Sequence, residues 1–360
     1  MRRERTIPDA LTTFLHGLIF FIFVFSHTAA AQSNTAGNQS PKSKNAEVDW
    51  IQKVVDNWSY VCQNELKIEA KTLPWSIFYD TTSAWHLNPD LNILPAHEKT
   101  QRTVVFGGRT YPLFKTSHAQ NVWIPEREPI PVSSYLNSTM PYAQNKKAYF
   151  VAPLPSLFRK LATPDQAGVL ELLFLGNAIH ELTHTRQLPM VIPQLLEIHK
   201  TDSRKSLDDN TVEQEYSNNP RYKQLYADES KHYWNAVFTS DNDSCITKCK
   251  QALQLTEIRK SEFFSATNQS LGRADEIFLS LEGSAMWAQY RVMLKNVPNP
   301  NERDLISWLV QQSPAWSQER GLALFLLIDR FDPSWKNQFF EKQLPLAYGH
   351  LAGVLAKRTK

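Results

Sequence analysis

Apolar residues first fall into a regular pattern near position 48. Val48, Ile51, Val54, Val55, Trp58, Val61 and Cys62 lie three or four residues apart, which predicts an amphipathic helix over 47–65. The texture then changes to short apolar runs broken by prolines and glycines. Trp75–Tyr79, Thr103–Phe106, Arg109–Phe114, Val122–Pro125 and Lys147–Ala152 read as strands, with Gly107-Gly108 as a hairpin turn between two of them. Together they predict a small twisted sheet of about four or five strands. From Pro155 onward no strand pattern appears. Helical periodicity takes over, in a long segment beginning at Thr163 and then in Asn219 to about Phe238, Ser244–Phe264, Leu271 to about Leu294, Glu302–Gln312, Ala315–Phe331, Trp335–Gln343 and a last helix from about Leu346. The expected fold class is therefore α+β. An N-terminal sheet region over 46–162 precedes an active-site helix and an all-helical C-terminal lobe over 163–360.

Residues 1–31 have the make-up of a secretory signal peptide. Arg2, Arg3 and Arg5 precede an unbroken apolar run from Leu18 to Phe25, too short for a membrane span, and Ala29-Ala30-Ala31 forms a small-residue cleavage site before Gln32. Residues 32–45 are polar and lack any apolar period, as expected of a disordered lead-in. The expected location is outside the cytoplasm, periplasmic or secreted, with no stable membrane span after cleavage. Losing the signal takes away three basic and two acidic residues, so the net charge falls from +3 to about +2. That balance, with no basic runs interleaved with aromatics, gives no case for nucleic acid. The three cysteines, Cys62, Cys245 and Cys249, leave room for one disulfide in an oxidising compartment.

The chemistry concentrates in His180-Glu181-Leu182-Thr183-His184. On a helix, residues i and i+4 stand one above the other, so both imidazoles can reach one metal ion. Glu181 projects beside them, placed to take a proton from a water that the metal activates. The surrounding pattern suits a buried helix. Thr163, Pro164 and Gln166 have the form of an N-cap, a first helical residue and a capping box. Val169, Leu172, Leu173, Leu175, Ala178, Ile179 and Leu182 supply an apolar surface, and Pro189 is expected to end a helix of about 24 residues.

A catalytic zinc takes three protein ligands and keeps a position open. No third histidine stands in a nearby H-x-x-G-x-x-H arrangement, and His199, His232 and His350 lie in weak local contexts. The best third ligand is Glu282, in the otherwise apolar run Ile277, Phe278, Leu281, Ala285, Trp287 and Ala288. A carboxylate there is costly unless paired or metal-bound. The small Gly283 and Ala285 would let its helix approach a neighbour closely. Glu213, Glu215 and Glu229 are the runners-up, in charge-rich segments that read as solvated faces.

A helix with His-Glu-x-x-His, followed by a helix with Glu282-Gly283-Ser284-Ala285, resembles the gluzincin branch of the zincin metallopeptidases. The resemblance implies one catalytic Zn2+ held by His180, His184 and Glu282, with Glu181 as general base. It implies a zincin-like sheet whose edge strand holds an extended protein or peptide substrate, with Lys147–Ala152 as its counterpart here. Two features depart from that pattern. The separation of 98 residues from His184 to Glu282 is long, and Met286 stands where many members carry an aspartate that orients a zinc histidine. Asp275 or Glu276 is then expected to orient it. An oxyanion-stabilising donor is sought among Tyr290, His232, Tyr233, Tyr348 and His350. The expected function is an exported zinc metallopeptidase. The alternatives are a zinc hydrolase of a non-peptide amide or ester, and a zinc-stabilised binding protein without turnover, against which the intact Glu181 argues.

Overall fold

The structure is a computed structural model that describes residues 46–358 apart from 70, 71, 145, 203, 205, 206, 266, 314 and 341–343. The signal segment 1–31 and the lead-in 32–45 lie outside the described residues. The first helix, α1 (Ala46–Tyr60), continues as a π-helical turn over Val61–Leu66 and stops at Lys67 in the left-handed conformation. Its apolar stripe buries Trp50, Ile51, Val54, Val55 and Trp58.

Six strands form one mixed sheet: β1 (Trp75–Tyr79), β2 (Ser83–Leu87), β3 (Glu98–Phe106), β4 (Arg109–Ser117), β7 (Ser138–Tyr142) and β8 (Lys147–Pro153), in the order β3-β4-β2-β1-β8-β7. Only β1 and β8 run parallel. The β3–β4 hairpin turns through Gly107 and Gly108, both with positive φ, as the sequence predicts. β5 (Asn121–Val122) and β6 (Ile130–Pro131) form a separate two-stranded ribbon, so Val122–Pro125 is a strand only at its start.

Side chains alternate across the sheet and build a core on each face. Phe78, Phe150, Ala152 and Leu87 join the large core shared with the helices. Trp75, Ile77, Tyr79, Tyr149 and Val151 form a second core with Val122, Ile124 and Ile130 of the ribbon region. The buried His86 joins neighbouring strands. Trp75 Nε1 donates to its Nδ1 at 3.3 Å, so its Nε2 carries the proton and meets Thr116 Oγ1 at 2.9 Å. Burial, helped by the charge of His97, depresses the His86 pKa to about 3. Between that value and the unfolded 6.5 the unfolded chain binds the extra proton, so this stability is complete above pH 6.5 and is lost as pH falls towards 3. The melting temperature of the metal-free protein is accordingly expected to drop between pH 6.5 and 5, and less so in His86→Gln.

One expectation about the strands needs correction, and two strands of the mixed sheet, Ser83–Leu87 and Ser138–Tyr142, are absent from the predicted set. Lys147–Ala152 is not an edge: β8 lies between β1 and β7, and the edges of the sheet are β3 on the far side and, on this side, Ser138–Tyr142. That strand reads poorly in sequence because Pro141 interrupts it. An edge strand tolerates proline, since the missing N–H need not enter the ladder.

After β8 come a short turn, α2 (Pro155–Phe158), and the long α3 (Ala167–His199). Among the described residues only helices follow: α4 (Thr211–Tyr216), α5 (Pro220–Val237), α6 (Asn242–Phe263), α7 (Gln269–Asn296), α8 (Glu302–Gln312), α9 (Trp316–Phe331), α10 (Trp335–Phe339) and α11 (Ala347–Arg358). The start and end of α3 differ from expectation. Thr163–Gln166 is a turn ahead of the helix, with the Thr163 hydroxyl on Asp165 rather than capping, and Val169 is exposed. At the other end α3 runs through Pro189 and Pro193. Each proline removes one backbone bond, but Val191, Ile192, Leu195 and Ile198 beyond them are buried, and that packing offsets the loss.

α7 is buried between α3 and α9. Gly176 of α3 faces Met293 and Gln289 of α7, where a methyl group would sit 2.7 Å from the Met293 sulfur. Gly283 does allow a close approach, and the neighbour is α9: a methyl on Gly321 would lie 2.6 Å from Gly283 Cα. Backbone meets backbone there, and neither side can yield. Gly321→Ala is expected to cost about 1–3 kcal/mol or more and to weaken metal binding, because the contact adjoins Glu282. Thermal unfolding and metal titration of the purified variant check both effects.

Candidate metal centre

His180 and His184 lie in the middle of α3, not in its last turns, because the helix continues past Pro189. Glu282 comes from the middle of α7. The fold brings the three together as a buried group that could hold a metal ion. His180 Nε2 and His184 Nε2 are 2.9 Å apart, His180 Nε2 is 3.1 Å from Glu282 Oε2, and His184 Nε2 is 3.4 Å from Glu282 Oε1. A tetrahedral ion with bonds of about 2.0–2.1 Å spaces its ligands about 3.3 Å apart. The observed separations lie within a few tenths of an ångström of that spacing, with each histidine facing a different oxygen of the Glu282 carboxylate.

The proton positions also fit. The Ser284 hydroxyl donates to Ser280 O at 2.7 Å, which leaves its oxygen to accept from Gln187 Nε2 at 2.6 Å. The Gln187 carbonyl oxygen then faces His184 Nδ1 at 3.0 Å, so that nitrogen carries the hydrogen. In the neutral ring, the form that binds a metal, the lone pair of His184 is then on Nε2 and faces the centre of the group. The residue that orients His184 is therefore Gln187. Asp275 and Glu276, the expected partners, are bonded to Arg259 and Lys260 instead. His180 Nδ1 has no hydrogen-bond partner among the described residues.

The electrostatics follow from burial. Glu282 is fully buried. Burial alone would raise its pKa, but the imidazoles of His184 and His180 outweigh that and hold it well below the usual carboxylate range. His184 is 1% exposed; burial disfavours its charged form, yet Glu282 raises its pKa to about 9. A proton therefore occupies this group where a cation would otherwise sit. Glu181 is 6% exposed, and burial raises its pKa against the pull of both histidines. Its Oε2 is buried without a partner among the described residues.

Three contributors escape the sequence reading. Thr139 on the edge strand donates to Glu181 O at 2.6 Å and ties β7 to α3 at the motif. Gln318, near the start of α9, reaches Glu282 Oε2 at 3.4 Å, and its Oε1 is buried and unpaired among the described residues. Asp209 is buried; desolvation, joined by the negative charges of Glu282 and Asp208, pushes its carboxyl well above the usual range. None of these three has a local signal in the sequence, whereas Gln187 has one, as the residue about one helical turn after His184.

The rejected ligands have other roles. Glu229 does not face solvent: it is fully buried in ion pairs with Arg259 and Arg320. Arginine charges on both sides hold its pKa down against the cost of burial. Glu213 accepts from Trp316 N, and Glu215 lies 3.6 Å from Arg204. Among the oxyanion candidates, Tyr233 bonds Thr256, Tyr348 bonds Glu229, and His350 pairs with Asp332. Cys62, Cys245 and Cys249 are free and buried. No helix among the described residues is long and apolar enough to cross a membrane. Compared with protein-family models, curated proteins and solved structures, the chain matches none of them, so what it does has to be read from the geometry of these residues.

Proposed function

We propose that this chain is an exported zinc metallopeptidase of the gluzincin type, with His180, His184 and Glu282 as metal ligands and Glu181 as general base. One observation carries the reading: two imidazole nitrogens and the Glu282 carboxylate converge in a buried group that could hold a metal ion, beside a second buried carboxylate with an unpaired oxygen. Two imidazole nitrogens and one carboxylate oxygen suit zinc. Calcium and magnesium want more oxygens, and copper(I) prefers sulfur. A structural zinc site is closed by four ligands and has no use for Glu181.

When bound, the ion supplies Lewis acidity that lowers the pKa of a water and polarises the substrate carbonyl. The chain does the rest. Glu181 removes the proton from the attacking water and returns it to the leaving nitrogen. Its raised pKa matches that double task, since a carboxylate that is too acidic would not keep the proton. Gln187 and Ser284 hold His184 in its metal-binding tautomer. The outer edge of β7 has no strand partner among the described residues, and Thr139 fixes it beside Glu181.

The test is cleavage of a broad peptide library by the zinc-loaded protein. Cuts are expected that a chelator abolishes and added zinc restores. Cleavage that survives complete metal removal overturns the reading.

A further inference from the structure

Gln318 is a buried polar side chain to which the mechanism gives no task. It sits in the first turn of α9 and is 6% exposed. Its Nε2 donates to Glu282 Oε2 at 3.4 Å, and its Oε1 has no hydrogen-bond partner among the described residues. Packing creates this arrangement. Gly321 lies so close to Gly283 that a methyl group on either would meet the backbone of the other. Gln318 stands one helical turn before Gly321, and Glu282 directly precedes Gly283, so the same contact brings the amide to the carboxylate. A residue needed only for packing would be apolar here. Leucine or methionine fills a similar volume without burying an oxygen that lacks a partner, which is destabilising. A lysine or arginine would pair with Glu282 and compete with a metal ion for it. An amide donates a hydrogen without bringing charge.

The two Glu282 oxygens stand in different surroundings. Oε2 is met by His180 Nε2 at 3.1 Å and by Gln318, whereas Oε1 faces His184 Nε2 at 3.4 Å and accepts no hydrogen bond among the described residues. A metal ion takes the lone pair of each Nε2, so a ligating His180 has no hydrogen there to give to Oε2. Gln318 is then the donor that remains. We infer that Gln318 is a positioning residue of the metal centre: its amide holds Glu282 Oε2 and leaves Oε1 as the oxygen that binds the ion. The inference rests on the proposed metal centre and adds the group that fixes its carboxylate. A carboxylate bound through one oxygen keeps a position open for water; one bound through both crowds that position.

The experiment compares wild type, Gln318→Met, Gln318→Asn and Ser317→Ala. Methionine matches glutamine in length but has no donor. Asparagine keeps the amide and is one methylene too short to reach Glu282. Ser317 shares the turn, and its buried hydroxyl has no partner among the described residues, so its variant controls for disturbance of the helix start. Zinc affinity is measured by competition with a chromophoric chelator. The same proteins loaded with Co2+ are read by visible absorption, whose intensity falls as the ion gains a fifth ligand. Gln318→Met and Gln318→Asn are each expected to bind zinc about 10–100-fold more weakly and to give weaker cobalt bands, while Ser317→Ala matches wild type in both. The Asn variant keeps a polar side chain in this turn and gives the answer if the Met variant does not fold. Wild-type zinc affinity or an unchanged cobalt spectrum in either folded Gln318 variant overturns the assignment. So does an equal loss in Ser317→Ala, which puts the effect in the helix start and not in the amide. A wild type that takes up neither zinc nor cobalt overturns the metal centre, and the role of Gln318 with it.

Discussion

Glu181→Gln is expected to keep the metal and lose the reaction. Glutamine has the shape of glutamate, so it fits the same buried position without opening a cavity. The bond that Thr139 makes to position 181 goes to the backbone oxygen and survives the change. The side chain is not among the three donors, so metal content should equal that of wild type. What disappears is the ability to take a proton. General acid–base catalysis contributes about 10²–10⁴-fold, and turnover should fall by at least that much. Burial also raises the Glu181 pKa, which means that the ionised carboxylate is held at a cost; the neutral amide should leave the melting temperature equal or slightly higher. Metal analysis, thermal unfolding and kcat on one preparation separate these effects. Full metal content with undiminished turnover would remove Glu181 from the mechanism.

Glu282→Ala is expected to do the reverse and lose the metal first. Changes to groups that merely orient a ligand cost about 10–100-fold in affinity; removal of a ligand itself should exceed that. Zinc at a thousand times its Kd stabilises the folded wild type by about 4 kcal/mol, and the variant should show little of this. The metal-free proteins should differ as well. In wild type the His184 pKa is raised to about 9, so its contribution is complete below the unfolded value of 6.5 and fades as pH rises through about 9. Glu282 is shifted the other way, so its contribution is present above pH 4.5 and is lost as the pH falls through its depressed folded-state value. Glu282→Ala removes both, and its deficit against wild type should be greatest between about pH 4.5 and 6.5, shrinking as the pH rises towards 9. The same proton competes with the metal at His184, so wild-type zinc affinity should rise with pH across that range. Zinc-dependent melting from pH 5 to 9 tests the whole set. An unchanged zinc affinity in Glu282→Ala would take the carboxylate out of the site.

Local sequence determined much of this protein. Helical periodicity gave α1 and, from α5 on, the helices of the C-terminal lobe close to their observed limits, except that α10 ends at Phe339 and 341–343 of its expected span lie outside the described residues; Gly107-Gly108 gave the β3–β4 turn, because those signals act within a few residues. The pair His180 and His184 was legible for the same reason: one helical turn fixes their spacing whatever surrounds them. Glu282 was legible by elimination, as a carboxylate in a run too apolar to leave it unpaired. Tertiary structure decided the remainder. It carried α3 through Pro189 and Pro193, since burial of the residues beyond outweighs two lost backbone bonds. It made Ser138–Tyr142 the edge strand, because an edge forgives the proline that hides it in sequence. It buried Glu229 against Arg259 and Arg320, a pairing between three helices that composition reads as a solvated face. Above all, it brought Glu282 to within 3.1 Å of His180 across 102 positions of chain and set Gln187 behind His184. Such contacts depend on how whole helices pack, with Gly283 against Gly321 and Gly176 against Met293, and no window of sequence contains both halves of them.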